Sequence, residues 1–499
     1  MKLILNNHKS SYQIQSLFQM FYPLLTWKFE NKVESSFKAL KPLLNIDDEI
    51  IITSIFTKKN CCFIIVYIKI ENKVYFKRKK LKIGDENYNY WFCNLIYDIL
   101  SSHTERLLPW GFYTGVRPVK TVNDYLKTNN NNIKKVLIEK YNITDSKMDL
   151  AIQTASYQNE ILLKQEKEYY SLFIFIPFCP SRCKYCSFVS NSISKTEKIE
   201  NEYINNLIKE LEFTAQNINK TSKIIHTIYV GGGTPTSISD DQLLKLVKKI
   251  KELFLKNLNI EYTFEAGRAD SITKKKLEIL KEYGVNRISI NPQTFNDTVL
   301  KKIKRNHTSK EVVDTFEIAR NVGFNNVNMD FIAGLEDETF QSFQQSLIKG
   351  CSLNPENITI HTLAIKKSAQ LKQTSKVNDI LSKENLVQQM VDFSQKYLYE
   401  KGYHPYYLYR QKNTIGNFEN VGFSKQGFDC VYNIIIMEEI ETIIACGAGA
   451  SSKIITDDFN NKKQIKRIYN YKYPFEYNNN FQQIIKRKKQ LFTFLKNDL

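Results

Sequence analysis

The chain has 499 residues, 42% hydrophobic and 13% aromatic, which is length for two or three domains and apolar material for real cores, and excludes a disordered chain. No run of about 18 apolar residues occurs and the opening MKLILNNHKSSYQIQ holds no apolar stretch of signal-peptide length, so a cytoplasmic protein without membrane insertion is expected. The formal net charge of +19 admits nucleic acid, a membrane surface or an acidic substrate, but Lys, Asn and Ile are enriched together, as a nucleotide-composition bias produces, and no nucleic-acid module is visible, so nucleic acid is not the expected partner.

Residues 1–165 are expected to form an α+β domain of unknown role. Glu49–Phe56, Cys62–Ile70 and Val74–Ile83 are β-rich runs joined by turns, the pattern of an antiparallel meander, and a helix follows over Tyr88–Leu100. Cys61, Cys62 and Cys93 read as core or strand residues, and the nine scattered cysteines make no disulfide framework. Leu108–Lys120, LPWGFYTGVRPVK, is forced into an irregular loop by its glycines and prolines. It is either a substrate or interdomain loop carrying Trp110 and Arg117, or a linker that packs Trp110 into a core. Asn129–Asn132 read as a loop tip, and helical sequence continues to about Lys167.

From Phe173 strands alternate with helices. Strands are expected over Phe173–Pro177, Ile225–Val230, Ile260–Glu265, Arg287–Ile290, Asn326–Ile332 and Asn357–Ala364. Helices lie between them near 196–217, 240–256, 273–283, 309–322 and 336–350, two of them stopped by Gly284 and Gly323. This predicts an α/β fold, an incomplete (βα)6 TIM-like barrel over 166–382, with functional residues at the carboxyl ends of the strands. Residues 383–499 are expected as a separate mixed α/β lobe, opening with a helix over Lys383–Gly402 and the strand-like YYLYR. Lys274, Lys275 and Lys276, and Lys486, Lys488 and Lys489, read as solvated faces.

Directly after the first strand, FIFIPFCPSRCKYCSF sets Cys179, Cys183 and Cys186 at C-x-x-x-C-x-x-C spacing. Pro180 and the short offsets bend one loop so that three thiolates can share an iron-sulfur cluster. Clusters held by protein alone use four, so three leave one iron open to a ligand with its own amine and carboxylate. Zinc is an alternative, but structural zinc takes four ligands in paired knuckles, and neither a second knuckle nor a nearby His is present. Inert buried thiols are another. The second strand ends in YVGGGTPT, where Gly231, Gly232 and Gly233, followed by Thr234, let the backbone approach a ligand; exposed amides and carbonyls there suit a carboxylate and an ammonium. Glu265 ends the third strand, as a ligand contact or as a structural carboxylate paired with Arg268. Gln293 stands after a proline at the mouth of the fourth, where an amide can bond ribose hydroxyls, and Arg305 follows in IKRNHT. Asp330 lies on the fifth strand. His361 ends the sixth and reads as a satisfied buried histidine rather than a catalytic one.

The cysteine spacing is the signature of radical S-adenosylmethionine (radical SAM) proteins. IPFC ahead of it, together with EAGRADSIT, resembles the oxygen-independent coproporphyrinogen III oxidase/dehydrogenase family of the HemZ type. LPWGFYTGVRP extends the likeness to the N-terminal region, and YYLYRQKNTIGNFENVGF with IIACGAGASS extends it to a HemN-like C-terminal lobe. The resemblance implies a 4Fe-4S cluster on Cys179, Cys183 and Cys186. It also implies S-adenosyl-L-methionine held by Tyr185, Gly232, Gly233, Thr234, Glu265, Gln293, Arg305 and Asp330. It further implies a monomeric oxidoreductase of heme biosynthesis, served by a ferredoxin- or flavodoxin-like electron donor. A 5′-deoxyadenosyl radical would then abstract hydrogen from a tetrapyrrole, coproporphyrinogen III, whose two propionates become vinyls to give protoporphyrinogen IX. A heme chaperone of the same family is the alternative, although the His-Asn and Tyr-Trp motif of those chaperones is absent from the C-terminal region. Two positions depart from the best-known bacterial members: Phe173 replaces a Tyr ahead of the first cysteine, and Phe188 replaces a fourth cysteine.

Overall fold

The structure, a computed structural model, describes all residues except 23–24, 46–48, 59–60, 83, 85–86, 129–131, 187–190, 193–196, 256–259, 365–382, 412, 458–462 and 497–499. Phe188 and most of the expected Asn129–Asn132 loop tip lie outside the described residues. Near the N-terminus, Ile50–Lys58, Cys61–Ile70 and Lys73–Lys82 form the expected antiparallel meander. Lys2–Asn6 and Lys28–Lys32 add two parallel strands to its edge; the second, KFENK, has no apolar alternation to reveal it. Cys62, Ile64, Val66 and Ile68 alternate inward against helices Ser11–Phe21 and Tyr88–Thr104.

Among the described residues the second sheet has eleven strands. In chain order they are β1 Tyr169–Ile176, β2 Ile224–Gly232, β3 Glu261–Gly267, β4 Arg287–Ile290, β5 Val327–Ala333, β6 Asn357–Thr362, β7 His404–Arg410, β8 Glu419–Ser424, β9 Thr442–Cys446, β10 Ser451–Asp457 and β11 Lys463–Tyr469. Strands β1 to β6 run parallel and side by side in sequence order. Parallel strands laid down in order through right-handed crossovers put every helix on one face, so the sheet curls about the other. Helices Glu197–Ile218, Asp240–Phe254, Lys274–Glu282, Ser309–Val322 and Phe340–Ser352 fill those crossovers, giving the incomplete TIM-like barrel. Ser239 with Gln242, and Thr308 with Glu311, close capping boxes at two of their starts, and Gly323 at φ +97 ends one of them.

The described strands of residues 383–499 do not make a sheet of their own. Their strands extend the barrel sheet at both edges: β8 pairs antiparallel with β6 and carries β7, while β9 runs parallel to β1 and carries β10 and β11. An open barrel leaves rows of unpaired backbone groups on its first and last strands, and these added strands satisfy them. Lys488, expected on a solvated face, is buried with its Nζ 3.4 Å from Glu210 Oε1. It shares a helix face with Ile484, Leu491 and Leu495, so helical register carries it inward. Trp110 is likewise fully buried and belongs to the barrel's core, with Nε1 donating to Glu419 Oε2 at 2.8 Å. Arg117 pairs with Glu439 at 2.5 Å. The loop Leu108–Lys120 is thus a packed linker. Among the described residues no helix is long and apolar enough to cross a membrane.

Candidate functional site

Cys179 lies just beyond β1 in a two-residue strand, Phe178–Cys179, paired with Asn191–Ser192. The loop then turns through a Cys186 N–H bond to Cys183 O at 3.2 Å, and Lys184 N donates to Ile303 O at 3.0 Å, which ties it to the segment after β4. None of the nine cysteines is in a disulfide. Two side chains from neighbouring strand ends reach the sulfurs: Thr234 Oγ1 stands 3.5 Å from Cys179 Sγ, and Arg268 Nη1 stands 3.8 Å from Cys183 Sγ. Among the described residues no group of three or more His, Cys, Asp or Glu side chains is gathered as a metal-ion site.

The glycine loop after β2 wraps the base of the cysteine loop. A Cβ at Gly233 would stand 2.5 Å from Phe178 O and 3.0 Å from Cys179 Sγ, and one at Gly231 would strike the Glu265 carboxylate at 2.8 Å. Gly232 N donates to Glu265 Oε2 at 3.2 Å, Gly233 N to Ile176 O at 2.8 Å and Thr234 N to Phe178 O at 2.7 Å. The expectation of exposed amides therefore fails for these three groups. The loop offers a ligand acceptors, not donors, and so suits an ammonium rather than a carboxylate.

Glu265 accepts from Tyr229 OH at 2.7 Å, not from Arg268, which forks onto Asp270 through Nε at 2.9 Å and Nη2 at 2.6 Å. Burial pushes the Glu265 carboxyl up to about 7, against the Tyr229 hydrogen bond, and the nearby Asp330 adds to the rise. Partial burial of Asp330 works against ionisation, but His361 and the Asn328 amide at 2.7 Å hold its carboxyl below the usual range. His361 has a partner at each ring nitrogen, as a satisfied histidine would, but it is not buried. Its side chain is 28% exposed, with Nε2 3.8 Å from Asp330 and Nδ1 3.4 Å from Tyr409 OH.

A second set joins three expected site residues. Tyr185 OH donates to Gln293 Oε1 at 3.2 Å and accepts from Arg305 Nη2 at 2.9 Å. Gln293 sits at φ +66, a left-handed backbone that a non-glycine residue adopts only when its surroundings impose it; here its N and O pair with Asp330 and Ile332. Arg305 Nε and Nη1 are buried and have no partner among the described residues. A 4Fe-4S cluster and S-adenosyl-L-methionine fit this donor set: thiols on one loop, acceptors and a carboxylate for an ammonium, and unpartnered guanidinium donors for a carboxylate or hydroxyls.

The radical SAM superfamily model matches residues 173–348. The oxygen-independent coproporphyrinogen-III oxidase-like protein HemZ of Bacillus subtilis is 37% identical over 397 residues, covering 78% of this chain and 78% of that protein. The chain belongs to the radical SAM superfamily, in the HemZ-type oxygen-independent coproporphyrinogen III oxidase family. Members of this superfamily use a 4Fe-4S cluster and S-adenosyl-L-methionine. The heme chaperone HemW of Bacillus subtilis is 33% identical over 57% of this chain and 71% of that protein. The solved coproporphyrinogen III oxidase of Escherichia coli matches 60% of this chain and 67% of its own at 22% identity and a TM-score of 0.48.

Sequence reading missed Tyr229 as the partner of Glu265, Arg268 as a clamp on the cysteine loop, and Tyr409 beside His361. Tyr229 and Arg268 lie inside motifs already singled out, so their presence was visible but their contacts were not. Phe173 keeps a packing role, stacked on Tyr432 at 6.0 Å, and Tyr432 in turn stacks on Tyr229 at 4.5 Å.

Proposed function

We propose that this chain is an oxygen-independent coproporphyrinogen III dehydrogenase, converting two propionates to vinyls with loss of carbon dioxide. The reading rests on the convergence, at one barrel mouth, of a three-thiol loop with two polar sets of opposite character, in a chain 37% identical to HemZ over 78% of its length. The three cysteines would hold the cluster, with Tyr185, Gly232, Gly233, Thr234, Glu265, Gln293, Arg305 and Asp330 around S-adenosyl-L-methionine. When bound and reduced, the cluster supplies the electron that cleaves S-adenosyl-L-methionine and so provides the hydrogen-abstracting chemistry. The chain's own part is to bind, orient and exclude water. The acceptors after β2 and Glu265 take the ammonium end, and Arg305 takes oxygen groups. The His361 ring, between Asp330 and Tyr409, is placed to hold a proton at Nε2 or Nδ1. The rings of Phe173, Tyr432 and Tyr229 stack in series, and Tyr229 joins that aromatic cluster to Glu265. A ferredoxin- or flavodoxin-like donor is the partner this chemistry requires.

The likeness to HemW favours a second reading, a heme carrier. Anaerobic incubation with coproporphyrinogen III separates the two. Substrate loss coupled to S-adenosyl-L-methionine cleavage supports the enzyme, whereas stoichiometric heme uptake without turnover supports the carrier. Cys183→Ala is expected to lose iron and radical formation; iron and activity at wild-type levels would rule out the ligand assignment.

A further inference from the structure

We propose that Arg268 is a positioning residue that sets the reduction potential of the cluster, an inference that rests on the functional reading above. Arg268 follows β3 directly and is 3% exposed. Its fork is fully directed: Nε and Nη2 hold the two oxygens of Asp270, while Nη1 reaches Ser181 O at 3.0 Å, Ser181 Oγ at 2.9 Å and Cys183 Sγ at 3.8 Å. Asp270 fixes the plane of the guanidinium, and the plane aims one edge at the cysteine loop. The His307 side chain, itself without exposure, stands with Nδ1 3.9 Å from Asp270.

Two physical consequences follow from this placement. A cluster gains negative charge on reduction, so a fixed cation beside one of its sulfur ligands stabilises the reduced form and raises the potential. Arg268 is buried, so its field is poorly screened, whereas Asp270 reaches the surface and its field is screened more strongly. Because the positive end lies nearer to Cys183, Asp270 offsets only part of the effect, and the two residues act in opposite directions. Loss of Arg268 leaves the Asp270 anion without its partner and lowers the potential, whereas loss of the Asp270 charge raises it. A role confined to holding the loop predicts no such opposition.

The test is a redox titration of the full chain with its cluster assembled, read by electron paramagnetic resonance without substrate. Arg268→Gln should shift the reduction equilibrium at least about tenfold toward the oxidised cluster, ~59 mV for a one-electron couple. Asp270→Asn should shift it toward the reduced cluster, and Arg268→Lys should stay closer to wild type than Arg268→Gln. Potentials that do not move, or that move in the same direction in Arg268→Gln and Asp270→Asn, overturn the proposal. If Arg268→Gln retains no iron, Asp270→Asn decides: an upward shift supports the proposal, and an unchanged or lower potential overturns it. A wild-type chain that assembles no cluster sinks the functional reading as well, whereas a cluster indifferent to these variants sinks only this inference.

Discussion

Glu265 illustrates what a single residue's surroundings do to it. Its position at the end of β3 follows from the β-rich run before it, but its partner does not: Arg268, three residues on, turns away to Asp270, and Tyr229 supplies the hydrogen bond from β2. The folded carboxyl ionises near 7, whereas its ordinary value is 4.5. Below pH 4.5 both folded and unfolded chains carry it protonated and it costs nothing. As pH rises to 7 only the unfolded chain ionises freely, so the folded state loses stability on this account, on the order of 3 kcal/mol. In the chain without cofactors, urea unfolding should therefore show wild type losing more stability than Glu265→Gln between about pH 5 and about pH 8. A pH-independent difference between the two would remove Glu265 as the cause.

At the scale of elements, the six core strands and five crossover helices were legible because each is an apolar run of the right period and length between turn or cap residues. β9 was not. IIAC is as apolar as a core strand, but nothing local says that it will lie against β1, more than 260 residues earlier in the chain. The glycine loop after β2 was legible as a close approach, but not that the cysteine loop and Glu265 occupy the space a side chain at Gly233 or Gly231 would need. Gly233→Ala is accordingly expected to destabilise the chain by ~1–3 kcal/mol through overpacking and to displace the cysteine loop, lowering iron uptake on reconstitution. Denaturant unfolding and iron content measure the two effects, and normal values of both would mean that the loop yields freely.

Over the whole molecule the regions are joined through buried polar nodes. Glu419, at the start of β8, accepts from Trp110 at 2.8 Å, Lys147 at 2.7 Å and Gln395 at 2.9 Å. Burial opposes its ionisation, but Lys147 beside it holds its carboxyl below the ordinary range. Glu419→Ala leaves the buried Lys147 with only the half-exposed Asp392, 3.6 Å away, and is expected to cost about 3–5 kcal/mol in denaturant unfolding. A loss below about 1 kcal/mol would show that water or another group replaces the carboxylate. The chain order of residues alone was enough for the barrel, the three-thiol loop and the strand ends that carry the candidate site, because those depend on spacing and period within about twenty residues. Which acid meets which base, which strand closes which edge, and whether a lysine or tryptophan faces water depend on groups brought together across hundreds of residues. Only packing in three dimensions decides them, since burial and charge are properties of neighbours and not of position in the chain.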